Sequence, residues 1–588
     1  MDNQEFAYKS DINKLYDIVG RTIQSDNYQI TMDEFWFSIS CDKIVQPFDF
    51  ISVENIHNTI TIGIVKELRT IRNTDDFKVS TELKESKYKN LGNSKTKADK
   101  NVDQGIRVAR VAVMANVQLD DDTQSNFKIK YNGEIRMPVN INKTVRFATE
   151  KEIFVGLGIP KMEEPIMVGL IKMSNGMNIP IPIGLSYLAG PDTAHVNITG
   201  ISGNMKTSYV IFLLYSIYQK LIENKDVAII LFNTRDDDLM HIHEKVDRVP
   251  DDDLKLYSLM KLSIKSFENV TYFLPRGKDG HPMSEHIPPN FQTYSYELRD
   301  IYDRLDLLLS SEIYDPRYNL YSIINYIYES WPLKDSSNKI VTNWSDLVKF
   351  INYPNEIIGY KSMYLHFLGY IQKFKRSPLF TDKRKTSIYI GNKIKNIKGG
   401  DIFVIDIAMI PTFEEQSLVV GDVMKNIDEM NASYYSAKEN QIKNNKKVGE
   451  KVTNSISNTK KPKYTLIFID EINRFLPNVY SLEHHSPVAD EILKTIIAGK
   501  SRNTILLSAQ QFKSTVDPIL HENTGIHMIA KLGLSELAKS PYSMLDEITK
   551  ANISRMNKGE IVMIQPSFQH PVKIVFPRAP FKRPSRKT

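Results

Sequence analysis

A lysine and a threonine stand side by side at Lys206-Thr207, and what precedes them suggests what they handle. The segment His195-Val-Asn-Ile-Thr-Gly200-Ile-Ser-Gly203-Asn-Met205 runs into them, and a long apolar stretch from Tyr209 follows. Val196 and Ile198 alternate with Asn197 and Thr199, as in a strand that ends in a loop. Strand, glycine-bearing turn and helix start in this order match the phosphate-binding loop G-x-x-x-x-G-K-[ST]. Gly200, Ser202, Gly203, Asn204, Met205, Lys206, Thr207 and Ser208 would then form the cradle. Loop amides and the helix N-terminus face phosphate oxygens, Lys206 reaches the outer phosphates, and the Thr207 hydroxyl holds Mg²⁺. Met205 occupies the place of the second glycine. A side chain there restricts the backbone and is expected to tune nucleotide affinity rather than abolish it.

A second constellation lies far downstream. Tyr464-Thr-Leu-Ile-Phe-Ile-Asp470-Glu471 is a short apolar run that ends in two carboxylates. Continuous apolar runs suit strands buried on both faces of a parallel sheet, whose C-terminal ends bind ligands. Asp470 is expected to share the Mg²⁺ with Thr207, and Glu471 to polarise a water for attack on a γ-phosphate. The next apolar run, Asn503 to Ser508, leads to Gln510 and Gln511. Gln510 is the candidate sensor of phosphate or water, and Arg502, just before the run, a candidate phosphate-binding guanidinium. ATP and Mg²⁺ are the expected cofactors. His484-His485 has no metal-ligand spacing, no H-x-x-x-H occurs, and Cys41 is the single cysteine, so no structural metal is expected.

These side chains need a scaffold, and the pattern around them suggests an α/β fold. Runs at 227–232, 401–406, 464–470, 503–508, 525–530 and 559–564 alternate with helical segments such as Glu414 to Met430, as in a parallel α/β core. Residues 286–390 carry aromatic and aliphatic stripes at helical spacing and read as a helical insertion. Residues 1–150 show two-residue alternation between turn-rich loops, the mark of a small β-barrel. The expected domains are therefore a barrel at 1–150, the two core parts at 151–285 and 391–575 around the insertion, and a tail at 576–588. A chain of 588 residues needs several such domains. One cysteine suits a reducing cytoplasm, the N-terminus lacks the look of a secretory signal, and no run is long enough to span a membrane.

Net charge is +6, and residues 436–463 alone, with eight lysines and two glutamates, carry the same excess. That segment reads as a solvated, mobile linker, with a basic arm touching nucleic acid as the alternative. Lys84 to Lys100 has the same character.

Four blocks together resemble the HerA-type hexameric ATPases, in the FtsK/HerA branch of P-loop NTPases. They are Ala194–Ser208, Leu466–Pro477, Ala498–Gln510 and Ile519–Ala530, and Val19–Ile23, Asp33–Phe37 and Ile62–Glu67 are similar to that family's N-terminal barrel. The resemblance implies a RecA-like core, a homo-hexameric ring with ATP between subunits, and double-stranded DNA as the usual track. It implies an effector partner docked on the barrel, a nuclease or a sirtuin-like NAD-hydrolysing enzyme, in some cases within anti-phage operons. It makes Glu471 the catalytic acid, Gln510 the sensor and Arg502 the active-site arginine. Ala194 stands where DNA-translocating relatives commonly carry an arginine that reaches the neighbouring subunit. That departure keeps a second expectation open, a slow ATPase whose ring mainly scaffolds and gates its partner. The tail from Pro577 is expected to strap onto an adjacent subunit through Phe581.

Overall fold

The structure is a computed structural model. It describes residues 7–8, 18–56, 59–71, 106–120, 127–130, 137–159, 162, 164–190, 194–201, 206–221, 226–235, 237, 239–309, 319–334, 338–350, 361–448, 461–478 and 486–582. The chain divides into two compact units, Met1–Gly184 with Met544–Val575, and Leu185–Ser543 with Phe576–Thr588.

The first unit carries the barrel expected from the alternating segments. Its strands are β1 (Ala7–Tyr8), β2 (Ile18–Ile23), β3 (Glu34–Ile39), β4 (Phe50–Glu54), β5 (Thr59–Ile71), β6 (Ile106–Asp120), β7 (Phe127–Lys130) and β8 (Thr144–Phe147). The order β6-β3-β2-β8-β4-β5 closes through a β5–β6 pairing, so six antiparallel strands form a barrel with no free edge. Sharp corners close it. The β5–β6 register shifts between Ile62 and Gly63, where a Cβ would come within 2.4 Å of Val111 Cγ1. The unit runs past residue 150 through an antiparallel pair, β9 (Pro165–Lys172) and β10 (Asn178–Gly184).

The second unit is a parallel sheet built from β11 (Ala194–Thr199), β12 (Val227–Asn233), β13 (Val270–Pro275), β14 (Phe291–Tyr294), β15 (Ile402–Asp406), β16 (Tyr464–Ile469), β17 (Thr504–Gln510) and β18 (Thr524–Ile529). Their order is β18-β11-β17-β16-β12-β15-β13-β14. Every neighbouring pair is parallel. The inner strands β11, β12, β15, β16 and β17 are buried along their whole length. That explains why β12, β15, β16 and most of β17 read as nearly continuous apolar runs, while β11 buries Asn197 and Thr199 in hydrogen bonds. The chain then returns to the first unit with β19 (Glu560–Ile564) and β20 (Val572–Val575), an antiparallel pair.

Helix Lys206–Leu221 starts where the phosphate loop ends and is buried on nearly every side. The insertion contributes helices Asn319–Glu329, Trp344–Phe350 and Lys361–Lys375, and Trp344, Leu347, Phe367 and Ile371 join the core with Phe232 and Ile405 of the sheet. Its opening is a strand, β14, rather than a helix. Helix Ile390–Lys395 follows it. Arg304 is buried there. Its Nη1 donates to Asp422 Oδ1 at 2.5 Å and its Nη2 to Glu429 Oε1 at 2.7 Å, so it ties the insertion to helix Phe413–Val448.

That helix corrects the linker expectation. The backbone of residues 436–448 is helical, and only 449–460 lie outside the described residues. Ala, Lys, Glu and Gln are good helix formers, so a charged, apolar-poor run can extend a helix that its first half anchors in the core. The tail expectation changes too. Phe581 is buried on its own chain, where it pairs with Lys245, and Phe576 packs edge-on to Tyr209 at 4.7 Å. The Lys84–Lys100 stretch lies outside the described residues. Among the described residues no helix is long and apolar enough to cross a membrane.

Buried histidines make this unit acid-sensitive. His195 accepts from the Leu506 amide at 3.0 Å through Nδ1 and bonds the Ile496 carbonyl at 2.9 Å through Nε2. Burial lowers its pKa to about 4, and His521 is likewise lowered to about 4. The folded state keeps these rings neutral, while the unfolded chain takes up protons below about pH 6.5, so stability falls as pH drops from there toward 4. By pH 5.5 each ring should cost about 1 kcal/mol. Urea midpoints at pH 7.5 and 5.5 should differ less in His195→Gln than in the parent. An equal difference in both would remove His195 from this account.

Candidate active site

Register brings the strand ends into one row. Thr199 pairs with Gln510, Ile469 with Ser508, Phe232 with Ile469, and Asn233 with Asp406. β17 lies between the loop-bearing strand β11 and the acidic strand β16, so two strand spacings, ~10 Å, separate them. That gap leaves room for a phosphate group between the loop and the carboxylates.

Gly200 begins the loop. Its amide donates to the Gln510 carbonyl at 3.4 Å and that of Ile201 to the Lys531 carbonyl at 3.2 Å. A Cβ on Gly200 would lie 2.7 Å from Ala530 Cβ, so only glycine fits this crossing. Ser202, Gly203, Asn204 and Met205 lie outside the described residues. Lys206, Thr207 and Ser208 form the first turn of the helix, with Lys206 and Ser208 buried. Lys206 Nζ donates to the Gly200 carbonyl at 2.6 Å, which curls the side chain back toward the end of β11.

The two carboxylates meet this turn. The Thr207 hydroxyl donates to Asp470 Oδ2 at 3.3 Å, and the Glu471 amide to Asp470 Oδ1 at 2.8 Å. Glu471 sits in the left-handed region, φ 48° and ψ 46°. A side chain is rarely held there without surrounding constraint, and here it directs the acid off the strand axis. Burial pushes the Asp470 carboxyl up, the Glu471 amide draws it back, and the Glu471 charge adds to the rise while Lys206 opposes it. Burial pulls Lys206 down, against the attraction of Asp470 and Glu471. A hydroxyl and a buried carboxylate side by side suit a hard, oxygen-seeking cation such as Mg²⁺.

Two expected residues are placed differently. Gln510 is fully buried and spends its carboxamide inside the protein. Its Nε2 donates to Asn197 Oδ1 and Thr199 Oγ1, both at 2.9 Å, and its Oε1 accepts from Asn197 Nδ2 at 3.0 Å. The neighbour Gln511 is the one that reaches the acid, with Nε2 3.2 Å from Glu471 Oε1. Arg502 stands at the end of helix Pro487–Arg502, before β17 begins, ion-paired with Asp428. A strand advances ~3.3 Å per residue, so the length of β17 separates Arg502 from the acids, and within this chain it is no part of the site.

Sequence reasoning passed over two other arginines. Arg235, just past β12, and Arg474, just past Glu471, lie close enough to interact electrostatically. Arg235 acts on Lys206 and on Arg474, and Arg474 on Glu471. Arg474 is oriented by a bond from Nη2 to Gln416 Oε1 at 2.5 Å. Their signal was position at a strand end, the same signal that picked out Asp470.

The exchange of glutamines has a measurable consequence. Gln511→Ala should slow turnover about tenfold, the worth of one hydrogen bond to a charged group, with nucleotide affinity kept. Gln510→Ala should instead lower stability by ~1–3 kcal/mol, by removing buried hydrogen bonds to Asn197 and Thr199. Single-turnover hydrolysis and urea melts separate the two. Loss of turnover in Gln510→Ala at parental stability would return the sensor role to Gln510.

No family model matches the chain and no curated protein matches it. Among solved structures it is similar to the bacterial conjugative coupling protein TrwBdeltaN70 in its unbound form, at 12% identity and TM-score 0.39, over 69% of this chain and 90% of that one. TrwB in complex with ADP and Mg²⁺ is similar at 11% identity and TM-score 0.39, over 66% and 87%. The genome packaging NTPase B204 from Sulfolobus turreted icosahedral virus 2, in complex with ATP-gammaS, is similar at 8% identity and TM-score 0.25, over 65% and 97%.

Proposed function

We propose that this chain is an ATP-hydrolysing motor of the HerA type. The observation that carries the reading is the convergence of Lys206, Thr207, Asp470, Glu471 and Gln511 at one sheet edge, with β17 interposed between the loop strand and the acidic strand. Lys206 leaves the Gly200 carbonyl for the phosphates and orients them. Glu471 accepts the proton of the attacking water, and Gln511 holds that carboxylate in place. Arg235 and Arg474 stand ready to stabilise charge that builds on the transferring group. Thr207 and Asp470 would hold Mg²⁺, which when bound supplies charge neutralisation at the phosphates.

The family resemblance extends the proposal to a six-membered ring that moves on double-stranded DNA and works with an effector on its barrel, in anti-phage defence. Head-to-tail contacts of one chain close into such rings. Phosphate release from ATP and Mg²⁺, with and without linear duplex DNA, tests the motor, and native mass of the full chain with nucleotide tests the ring. Hydrolysis raised severalfold by DNA and a closed hexamer are expected. A monomer with or without nucleotide overturns the ring, and no hydrolysis under any condition overturns the enzyme.

A further inference from the structure

Beyond the nucleotide residues, a second group of side chains gathers beside the C-terminal ends of β12 and β13. His241 and Glu244 follow β12, and His286 comes from the segment between β13 and β14. One donor atom from each of the three lies within 4.8 Å of the others. His241 Nδ1 is 2.7 Å from Glu244 Oε1, and His286 Nε2 is 3.7 Å from the same oxygen. The two imidazoles lie close together, centroids 4.1 Å apart and tilted by 39°.

The second shell is also present. His241 Nε2 is 3.2 Å from Asp237 Oδ2. Both ring nitrogens of His241 thus face carboxylate oxygens, yet a neutral imidazole has one N–H to give. With Nε2–H given to Asp237, the Nδ1 lone pair is open to a cation shared with Glu244 and His286. A carboxylate that fixes the outer nitrogen of a ligating histidine is the usual second shell of zinc sites. The His286 backbone is held too, since the Ser284 hydroxyl lies 2.8 Å from its carbonyl and 2.5 Å from Asp406 Oδ2. His243 is turned away, its Nδ1 2.6 Å from the Tyr272 hydroxyl.

We propose that His241, Glu244 and His286 bind a zinc-class divalent cation, with Asp237 positioning His241. Two imidazoles and one carboxylate are the ligand types zinc prefers. Ligands at ~2.0–2.2 Å from a tetrahedral ion lie about 3.4 Å from one another, a spacing the observed separations bracket. Lys582 Nζ lies 3.8 Å from Glu244 Oε2, and its side chain is half exposed and can swing aside. His286 and Glu244 are partly exposed, so an ion can enter from solvent. Neither the phosphate loop nor the acids of β16 take part, and the proposal stands apart from the ATPase reading.

The test uses the purified full-length chain, stripped with a chelator and titrated with Zn²⁺ against a chromogenic chelator, with no nucleotide present. One zinc per chain is expected. His241→Ala and His286→Ala should each weaken binding at least tenfold, and Asp237→Asn by ~10–100-fold as expected of a second-shell partner. His243→Ala and Asp470→Asn should bind as the parent does. His286→Gln, at a partly exposed position, guards against loss of fold, checked by circular dichroism. Cobalt(II) in place of zinc should give the intense visible bands of a tetrahedral site. Absence of stoichiometric zinc in the parent, or parental affinity in folded His241 and His286 variants, overturns the site. Zinc lost in Asp470→Asn but kept in His286→Gln assigns the ion to the nucleotide site and overturns it equally.

Discussion

Glu471→Gln is expected to bind ATP as the parent does and to hydrolyse it at least ~10²-fold more slowly, since general-base action in positioned side chains is worth about that much. The exchange keeps shape and the contact with Gln511 while removing the acceptor for the proton of water. The contrast with Lys206→Ala is informative. Lys206 is buried and close to both acids, so its loss leaves Asp470 and Glu471 facing the phosphates without their nearest opposing charge. Binding itself should then fail. Equilibrium binding of a fluorescent ATP analogue and single-turnover hydrolysis separate the two variants. Parental turnover in Glu471→Gln would sink the assignment of the base, whatever the binding result.

The second large effect concerns stability. Arg304→Met should cost about 3–5 kcal/mol, because it strands Asp422 as a buried charge. Asp422 is fully buried and accepts from Arg304, from the Tyr389 hydroxyl at 2.9 Å and from Asn426 Nδ2 at 3.0 Å. Burial alone would push its carboxyl up, and Arg304 and these donors keep it the acceptor of the pair. Burial likewise works against the guanidinium, and Asp422, Tyr389, Asp303 and Glu429 together outweigh it. Removing both charges together, in Arg304→Met with Asp422→Leu, should recover most of the loss, since apolar replacements of buried pairs are often neutral. Urea denaturation of the three variants gives the coupling energy. A single variant within ~1 kcal/mol of the parent would show that the pair is not isolated from water.

How much of this was legible in the sequence depended on whether the signal was local. Lys206-Thr207 and Asp470-Glu471 announce themselves because a buried strand must be apolar and its end must be polar. The barrel is readable for the same reason, since Phe35, Phe37 and Ile39 alternate toward one face. Lateral strand order is not local. Nothing near residue 505 states that β17 will lie between β11 and β16. The glutamines show the finest limit. Side chains alternate across a strand, so one residue decides whether a carboxamide enters the sheet or leaves it, and the exact end of β17 decides which. Within this chain Arg502 stands away from the acids because a residue preceding a strand sits at the sheet edge opposite the one where that strand delivers its ligands. The imidazoles at His241 and His286 belong to separate segments, so only the fold pairs them. In 436–448, charge density was taken for disorder although the residues favour helix.

The carboxamides of Asn197 and Gln510 each give and take one hydrogen bond from the other. Such a pair is self-complementary, like two halves of a cyclic dimer. A change at either position costs the other one donated and one accepted hydrogen bond in a dry sheet, leaving Asn197 with Ser508 and Thr199 and Gln510 with Thr199, a loss that selection disfavours. The two positions are therefore free to drift only in concert, for instance to a matched pair of aliphatic side chains. Across diverging descendants of this chain they should covary, while Gln511, answerable to Glu471 alone, should track the acid instead.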